Sequence, residues 1–193
     1  MRLSRPTLLF LAFLAVAGCN KPTETQGQTA QAPAPAGQTT VVAIERSALG
    51  AAPNVTKFGD LYFAGQPTPD DFAAIKAAGV GGVINLRTEA EMGGFDEKAA
   101  VGATGMSYAS VPFNGPAGLT DEVFGSTREL LKAVDGPTLL HCASANRVGA
   151  VWIPFRVLDQ GIDLEQAVAE AKAIGMRTAE YETKARDYVA RNR

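Results

Sequence analysis

Residues 139–152 read LLHCASANRVGAVW, and no other stretch restricts the fold as much. Thr138 to His141 is an apolar run of strand length, a few small residues follow, and an apolar helical pattern then runs from about Arg147 to Leu158. A buried strand passing directly into a helix is the repeating unit of a parallel α/β sheet. The rest of the chain keeps that alternation. Strand-like runs at Leu61–Ala64, Val83–Leu86 and Ser107–Val111 are separated by helical patterns that start at Thr68, near Phe95 and at Thr120. Two more helices follow, at about Asp163–Ile174 and Thr178–Ala190. The expected fold class is α/β, a central, mostly parallel sheet flanked by helices.

Local signals sharpen the elements. Thr68 reads as a capping hydroxyl, with Pro69 in the first helical position and Asp70 and Asp71 at the positive end of the dipole. Phe72, Ile75 and Ala78 mark that helix's buried face, and Gly79 stops it. Thr120 caps a helix expected to run to Val134, with Val123, Leu130 and Leu131 facing inward. Pro154, inside the helix around Trp152 and Phe155, is expected to kink it. Val41 to Leu49 is open between a first strand and a linker.

The N-terminus is of a different kind. Arg2 and Arg5, the apolar run Leu8–Val16 and the small residues Ala17 and Gly18 together read as a signal peptide over residues 1–18. Its apolar core is too short to span a bilayer comfortably. Val16-Ala17-Gly18-Cys19 resembles a bacterial lipobox, which implies a lipidated Cys19 and a chain anchored in the cell envelope, on the periplasmic face of the outer membrane because Asn20 rather than Asp follows the cysteine. An ordinary secreted protein is the alternative. Residues 19–41, rich in Gln, Thr, Ala and Pro, are expected to be a disordered linker, which leaves 42–193 as one domain.

Cleavage would remove two arginines and no acid, taking 18 basic residues to 16 against 20 acidic ones, a net charge of −4. Nothing in that balance points to nucleic acid. The chain holds two cysteines and one histidine, too few for a disulfide scaffold or a four-cysteine zinc site. With Cys19 lipidated, Cys142 is the remaining thiol and His141 stands beside it.

Ligands of a parallel sheet bind beyond the carboxyl ends of its strands, which is where this pair lies. The amides of Ala143, Ser144, Ala145 and Asn146 can curl around an anion at the positive end of the following helix. The same field favours Cys142 as a thiolate, and Arg147 can add a bidentate fork for an oxyanion. Singly, a cysteine at a strand end is core filler and a lone histidine a satisfied structural group. Adjacent, with Arg147 opening the helix, they suit nucleophilic attack on phosphorus or on a sulfane sulfur. His141 is expected to hold the loop and tune the thiolate rather than act as a base.

Three motifs stand in order: Gly65-Gln66-Pro67, Ile84-Asn85-Leu86-Arg87, and Cys142 followed after four residues by Arg147. From about Asn54 to Val157 the chain resembles cysteine-dependent phosphatases of the tyrosine and dual-specificity class. It resembles more closely the small bacterial phosphatase-like family related to the beta-lactamase hydrolase-like proteins. The resemblance implies a phosphatase-like fold, no cofactor or metal, a phosphocysteine on Cys142, and Arg147 on the phosphoryl oxygens. The partner would be a phosphorylated protein or small molecule. Arg87, at its strand end, is either a further positive charge near the pocket or a surface ion pair.

The chain also departs from that class. The larger phosphatases place five residues between Cys and Arg; four is also the spacing of rhodanese-type sulfurtransferases, so a rhodanese-like topology and a persulfide on Cys142 remain an alternative. Ala145 replaces an expected glycine and would be strained at positive φ. Val148 replaces a hydroxyl residue. The loop VPFNGPAGLTDE offers Asn114 and Gly115 where a general acid is expected, which leaves Asp121 as the candidate, although Asp121 and Glu122 also suit the first turn of a helix. A non-catalytic oxyanion-binding module is the third reading.

Overall fold

A computed structural model describes residues 43–193. The segments expected to be a signal peptide and a linker, Cys19 among them, lie outside the described residues, as does residue 42 of the expected domain.

Six strands form one sheet in the order β1-β2-β3-β6-β4-β5. They are β1 (Glu45–Arg46), β2 (Thr56–Phe58), β3 (Leu61–Ala64), β4 (Gly82–Asn85), β5 (Ser107–Ser110) and β6 (Thr138–His141). β3, β6, β4 and β5 pair in parallel, while β1 and β2 add an antiparallel edge. The α/β class and the mostly parallel sheet expected from the sequence are what the chain forms. β1 resolves the ambiguity at Val41–Leu49 in favour of a short edge strand. β2 was not legible, because three half-buried residues carry too little pattern to reveal a strand.

Among the described residues seven helices accompany the sheet: α1 (Asp71–Ala77), α2 (Glu97–Ala103), α3 (Gly115–Gly118), α4 (Asp121–Lys132), α5 (Asn146–Pro154), α6 (Leu164–Ile174) and α7 (Ala179–Asn192). Parallel strands buried on both faces alternate their side chains between two cores. Val83 and Leu139 pack on one face with Phe72, Ile75 and Val101 of α1 and α2. Ile84 and Leu140 pack on the other, with α4 to α7 and Trp152. By the same alternation His141 faces the α1–α2 side, whereas Cys142 joins the second core.

One expectation is corrected. Thr68 does not cap α1, which begins two residues beyond Pro69, at Asp71. Thr68 instead donates its amide and hydroxyl to Asp71 Oδ2 at 2.7 and 2.8 Å, and Ala51 donates its amide to Oδ1 at 2.5 Å. The acid that looked like a dipole partner therefore ties two loops to the helix start. Beyond Pro154, α5 passes into a π-turn at Phe155–Asp159. Proline has no N–H to return to the preceding turn, and the wider turn carries the chain on. Arg156, within it, grips Glu170 of α6 at 2.7 and 2.9 Å, and Trp152 donates its indole N–H to the same carboxylate at 2.8 Å.

Candidate functional site

Register places the site. Ala64 of β3, His141 of β6 and Asn85 of β4 stand level across the sheet. The chain therefore leaves the central strand at Cys142 with Gly65 on one side and Leu86 on the other. The Cys142 amide donates to Ala64 O at 3.4 Å and the Leu86 amide to His141 O at 3.0 Å. Gly65 is glycine for a reason of space: a Cβ there would stand 3.0 Å from the Ala143 carbonyl and 2.9 Å from Pro53. The Gly-Gln-Pro turn thus abuts the cysteine loop, and Gln66 donates its amide to Ala143 O at 3.3 Å.

In the loop from Cys142 to Arg147, Cys142, Ala145 and Arg147 are buried and Ala143 is exposed, and the loop is braced from outside. Among the described residues, the amides of Ala143 and Ser144 meet no protein acceptor, which leaves them to bind an anion. Ser144 Oγ accepts from Arg177 Nη2 at 2.8 Å. The Asn146 side chain turns away, accepting the Arg177 and Thr178 amides and donating to Thr178 Oγ1, so it fastens the loop to the start of α7. Ala145 lies at φ 63° and is fully buried. The strain expected if alanine occupied a left-handed position is therefore present. Its methyl faces Gly175, where a Cβ would come within 3.1 Å.

Arg147 is nearly buried, and its guanidinium is held on one edge. Nη1 donates to Phe113 O at 2.6 Å, to Glu91 Oε2 at 2.8 Å and to Leu86 O at 3.3 Å, while Nη2 donates to Glu91 Oε1 at 2.6 Å. Of five N–H donors, those bonds leave Nε–H and one Nη2–H. The Cys142 sulfur lies near enough to act on the charge of the same group. Burial alone would lower the pKa of Arg147, but the Glu91 carboxylate and the Cys142 sulfur hold it above its ordinary value.

Glu91 was not singled out in the sequence. It closes a 3₁₀ turn at Glu89–Glu91, where Oε2 accepts the Thr88 amide at 3.0 Å and the Thr88 hydroxyl at 2.9 Å. Those donors and, above all, the Arg147 guanidinium bring its carboxyl down to about 2. The available signal was the spelling Thr88-x-x-Glu91, a capping box directly after the Ile-Asn-Leu-Arg strand. Arg87 donates to Gln66 Oε1 at 2.5 Å and to the Glu91 carbonyl, joining the Gly-Gln-Pro turn to the turn that carries Glu91.

Asp121 sits at the exposed start of α4, which Thr120 caps as expected, and its carboxylate pairs with Arg191 of α7 at 2.7 Å. The structure does not bring it to Arg147 or Cys142 by any described contact. Gly115 to Gly118, between Asn114 and α4, form α3. His141 is fully buried, with Nε2 2.8 Å from Glu97 Oε1. A cavity of about 580 Å³ opens beside the ends of β4 and β5; Asn85, Arg87, Glu97 and Tyr108 line it, but Cys142 does not.

Residues 54–158 match the family described as beta-lactamase hydrolase-like protein, phosphatase-like domain. The chain belongs to this family. A beta-lactamase hydrolase-like protein of Agrobacterium fabrum is 32% identical over 103 residues, which are 51% of this chain and 24% of that protein. The chain thus spans about a quarter of that curated relative. Among solved structures, P. aeruginosa TpbA in complex with pTyr superposes with a TM-score of 0.62 at 18% identity, covering 79% of this chain and 97% of the other. The core catalytic domain of the PP-IP phosphatase SIW14 from S. cerevisiae, in complex with citrate, gives 0.60 at 17%, covering 73% and 88%. At such identities the likeness is one of fold, and the fold is that of the cysteine phosphatases.

Proposed function

We propose that this family member is a cysteine-dependent phosphatase acting on phosphate monoesters. The observation that carries the reading is the loop that joins Cys142 to Arg147: the sulfur follows the last residue of the central strand, and the guanidinium at the start of the next helix is held along one edge by Glu91 with Nε–H and one Nη2–H left free. The Cys142 thiolate attacks phosphorus, the bond from phosphorus to the leaving oxygen breaks with its electron pair, and a phosphocysteine forms. Water then attacks phosphorus, and the thiolate departs as phosphate is released. Arg147 and the Ala143 and Ser144 amides hold the equatorial oxygens through both steps. Glu91 is not the general acid in this reading, because its carboxyl stays ionised down to about 2. The substrate is a phosphorylated protein or a small aryl or alkyl phosphate.

The test is hydrolysis of an aryl phosphate by the purified protein, with transfer of sulfur from thiosulfate to cyanide as a second assay and Cys142→Ser as control in both. Phosphate release that depends on Cys142 is the expected result. Thiocyanate formation without phosphate release would return the chain to sulfurtransferase chemistry. Binding of a phosphate analogue without either activity would make it a binding module.

We also propose that the domain is tethered to the periplasmic face of the outer membrane through a lipidated Cys19. No helix of the described residues is long and apolar enough to cross a membrane. Incorporation of labelled palmitate in the native host, lost in Cys19→Ala, is the check.

A further inference from the structure

A pocket of about 260 Å³ lies against the cysteine loop, on the side of the antiparallel edge of the sheet. Its wall holds Thr56 of β2, Ser144 of the loop, Gly175 after α6, and two arginines, Arg46 and Arg177; among the described residues no acid lines it. Register explains the arginine from β1. Arg46 stands level with Thr56, and Thr56 with Phe63 of β3, so all three face the side on which α5 to α7 pack. β2 runs antiparallel to β3, so its start lies beside the end of β3, where Gly65 pairs with Ser144. Glu45, level with Lys57, is turned to the opposite face by the alternation of the strand.

The pocket is a basic exception in an acidic chain. Among the described residues neither Arg46 nor Arg177 takes part in an ion pair. Arg177 donates only to neutral groups, from Nη2 to Ser144 Oγ at 2.8 Å and from Nη1 to the Gly175 and Ser144 carbonyls at 3.4 and 3.5 Å. It thereby covers the negative ends of both carbonyls and keeps Nε–H and one Nη2–H. The buried Thr56 hydroxyl meets no partner among the described residues, a rare state for such a group. Two guanidinium groups without a carboxylate suit a doubly charged oxyanion. The volume would take several waters of about 30 Å³ each, which is room for a phosphoryl group. Ser144 joins this pocket to the phosphate cradle, since its free amide belongs to the cradle and its hydroxyl holds Arg177. Two oxyanions that meet the same residue are close enough to belong to one small molecule.

We propose that this pocket is a second oxyanion subsite, and that the phosphate monoester this protein turns over best carries a second phosphoryl group, gripped by Arg46 and Arg177 while Cys142 attacks the first. The subsite stands on its own observations, whereas the substrate class rests on the phosphatase reading. A phosphoryl group fits better than a carboxylate, because two carboxylate oxygens fill one fork and three phosphoryl oxygens can meet both. Each turnover then consumes one water, releases one phosphate and leaves the second ester whole.

The probes are the ortho, meta and para phenylene bisphosphates against phenyl phosphate, at low ionic strength, where exposed charges are least screened. At least one isomer should bind the Cys142→Ser protein on the order of tenfold more tightly than phenyl phosphate, the low end for a charge-assisted hydrogen bond because both arginines are exposed. The wild-type protein should release the first phosphate of that isomer on the order of tenfold faster than the second. In Arg46→Gln, on an exposed strand of two residues, the preference for the bisphosphate should shrink to about twofold or less. Equal binding of phenyl phosphate and all three isomers would overturn the proposal, as would a preference untouched by Arg46→Gln in protein that melts normally. Carboxyphenyl phosphates that gain as much as the bisphosphates would overturn the choice of a phosphoryl group. If a bisphosphate binds more tightly and the wild-type protein releases no phosphate from any substrate, the subsite stands and the phosphatase reading falls.

Discussion

The guanidinium of Arg147 is gripped end to end by the Glu91 carboxylate, Nη1 to Oε2 at 2.8 Å and Nη2 to Oε1 at 2.6 Å. The two residues lie 56 positions apart in the chain. One opens the helix after the central strand, and the other closes a short turn after its neighbour. Their pairing fixes one edge of the guanidinium and leaves Nε–H and one Nη2–H on the other.

Replacing Glu91 by Gln should therefore reduce kcat/KM on an aryl phosphate by about 100-fold, as misplacement of a reacting group by an ångström can. The substitution keeps the volume and the Thr88 contacts, so the loss should be larger in activity than in melting temperature. Steady-state kinetics beside a thermal melt checks both.

The same pair carries a pH signature. Glu91 is brought from an ordinary 4.5 to about 2 in the folded protein. A carboxyl lowered by folding adds stability that is complete above the unfolded value and is lost as pH falls through the folded one. The stability difference between wild type and Glu91→Gln should thus be constant above pH about 4.5 and shrink between there and about 2. Urea unfolding at a series of pH values measures it; a difference that grew on acidification would exclude the assignment.

Arg147→Lys keeps the charge but loses the fork, and with it both the bidentate hold on Glu91 and the planar face toward an oxyanion. Turnover should fall by about 10²- to 10³-fold, the size of losing a preorganised oxyanion donor. A lysine variant with nearly full activity would show that charge alone suffices.

Ala145 and Gly175 form a matched contact. Ala145→Gly relieves a left-handed alanine, a gain of roughly 1 kcal/mol, and forfeits a buried methyl worth about 0.8 kcal/mol. The net change should stay below about 1 kcal/mol. Gly175→Ala meets both a backbone at φ 139° and the Ala145 methyl at 3.1 Å, and should destabilise by about 1–3 kcal/mol. Chemical denaturation of the two variants separates them.

Asp121→Asn tests the candidate acid. Its carboxylate is exposed and paired with Arg191, and exposed pairs contribute little. Stability should move by less than about 1 kcal/mol, and turnover of an aryl phosphate should stay within about threefold. A loss of 100-fold or more, within the range general acids supply, would bring Asp121 into the reaction.

What could be read from the residues alone was local. Alternating apolar runs specified the parallel sheet, because strands buried on both faces need no polar side. Small residues between a strand and a helix marked the place where a parallel sheet exposes its amides, which singled out Cys142 and Arg147 as candidates and Ala145 as strained if its φ were positive. Each of these follows from neighbours within about a dozen residues.

The groups that orient the site were settled only in three dimensions. Glu91 looks like one acid among several in RTEAEM. Glu91 acquires its role because β4 pairs directly with β6, which brings the turn after one strand against the loop after the other. Thr68 differs for the same reason, since its partner is a carboxylate also claimed by Ala51 from a distant loop. Burial turns such pairs from weakly coupled surface charges into fixed ones, and burial is a property of the packed sheet rather than of any single segment.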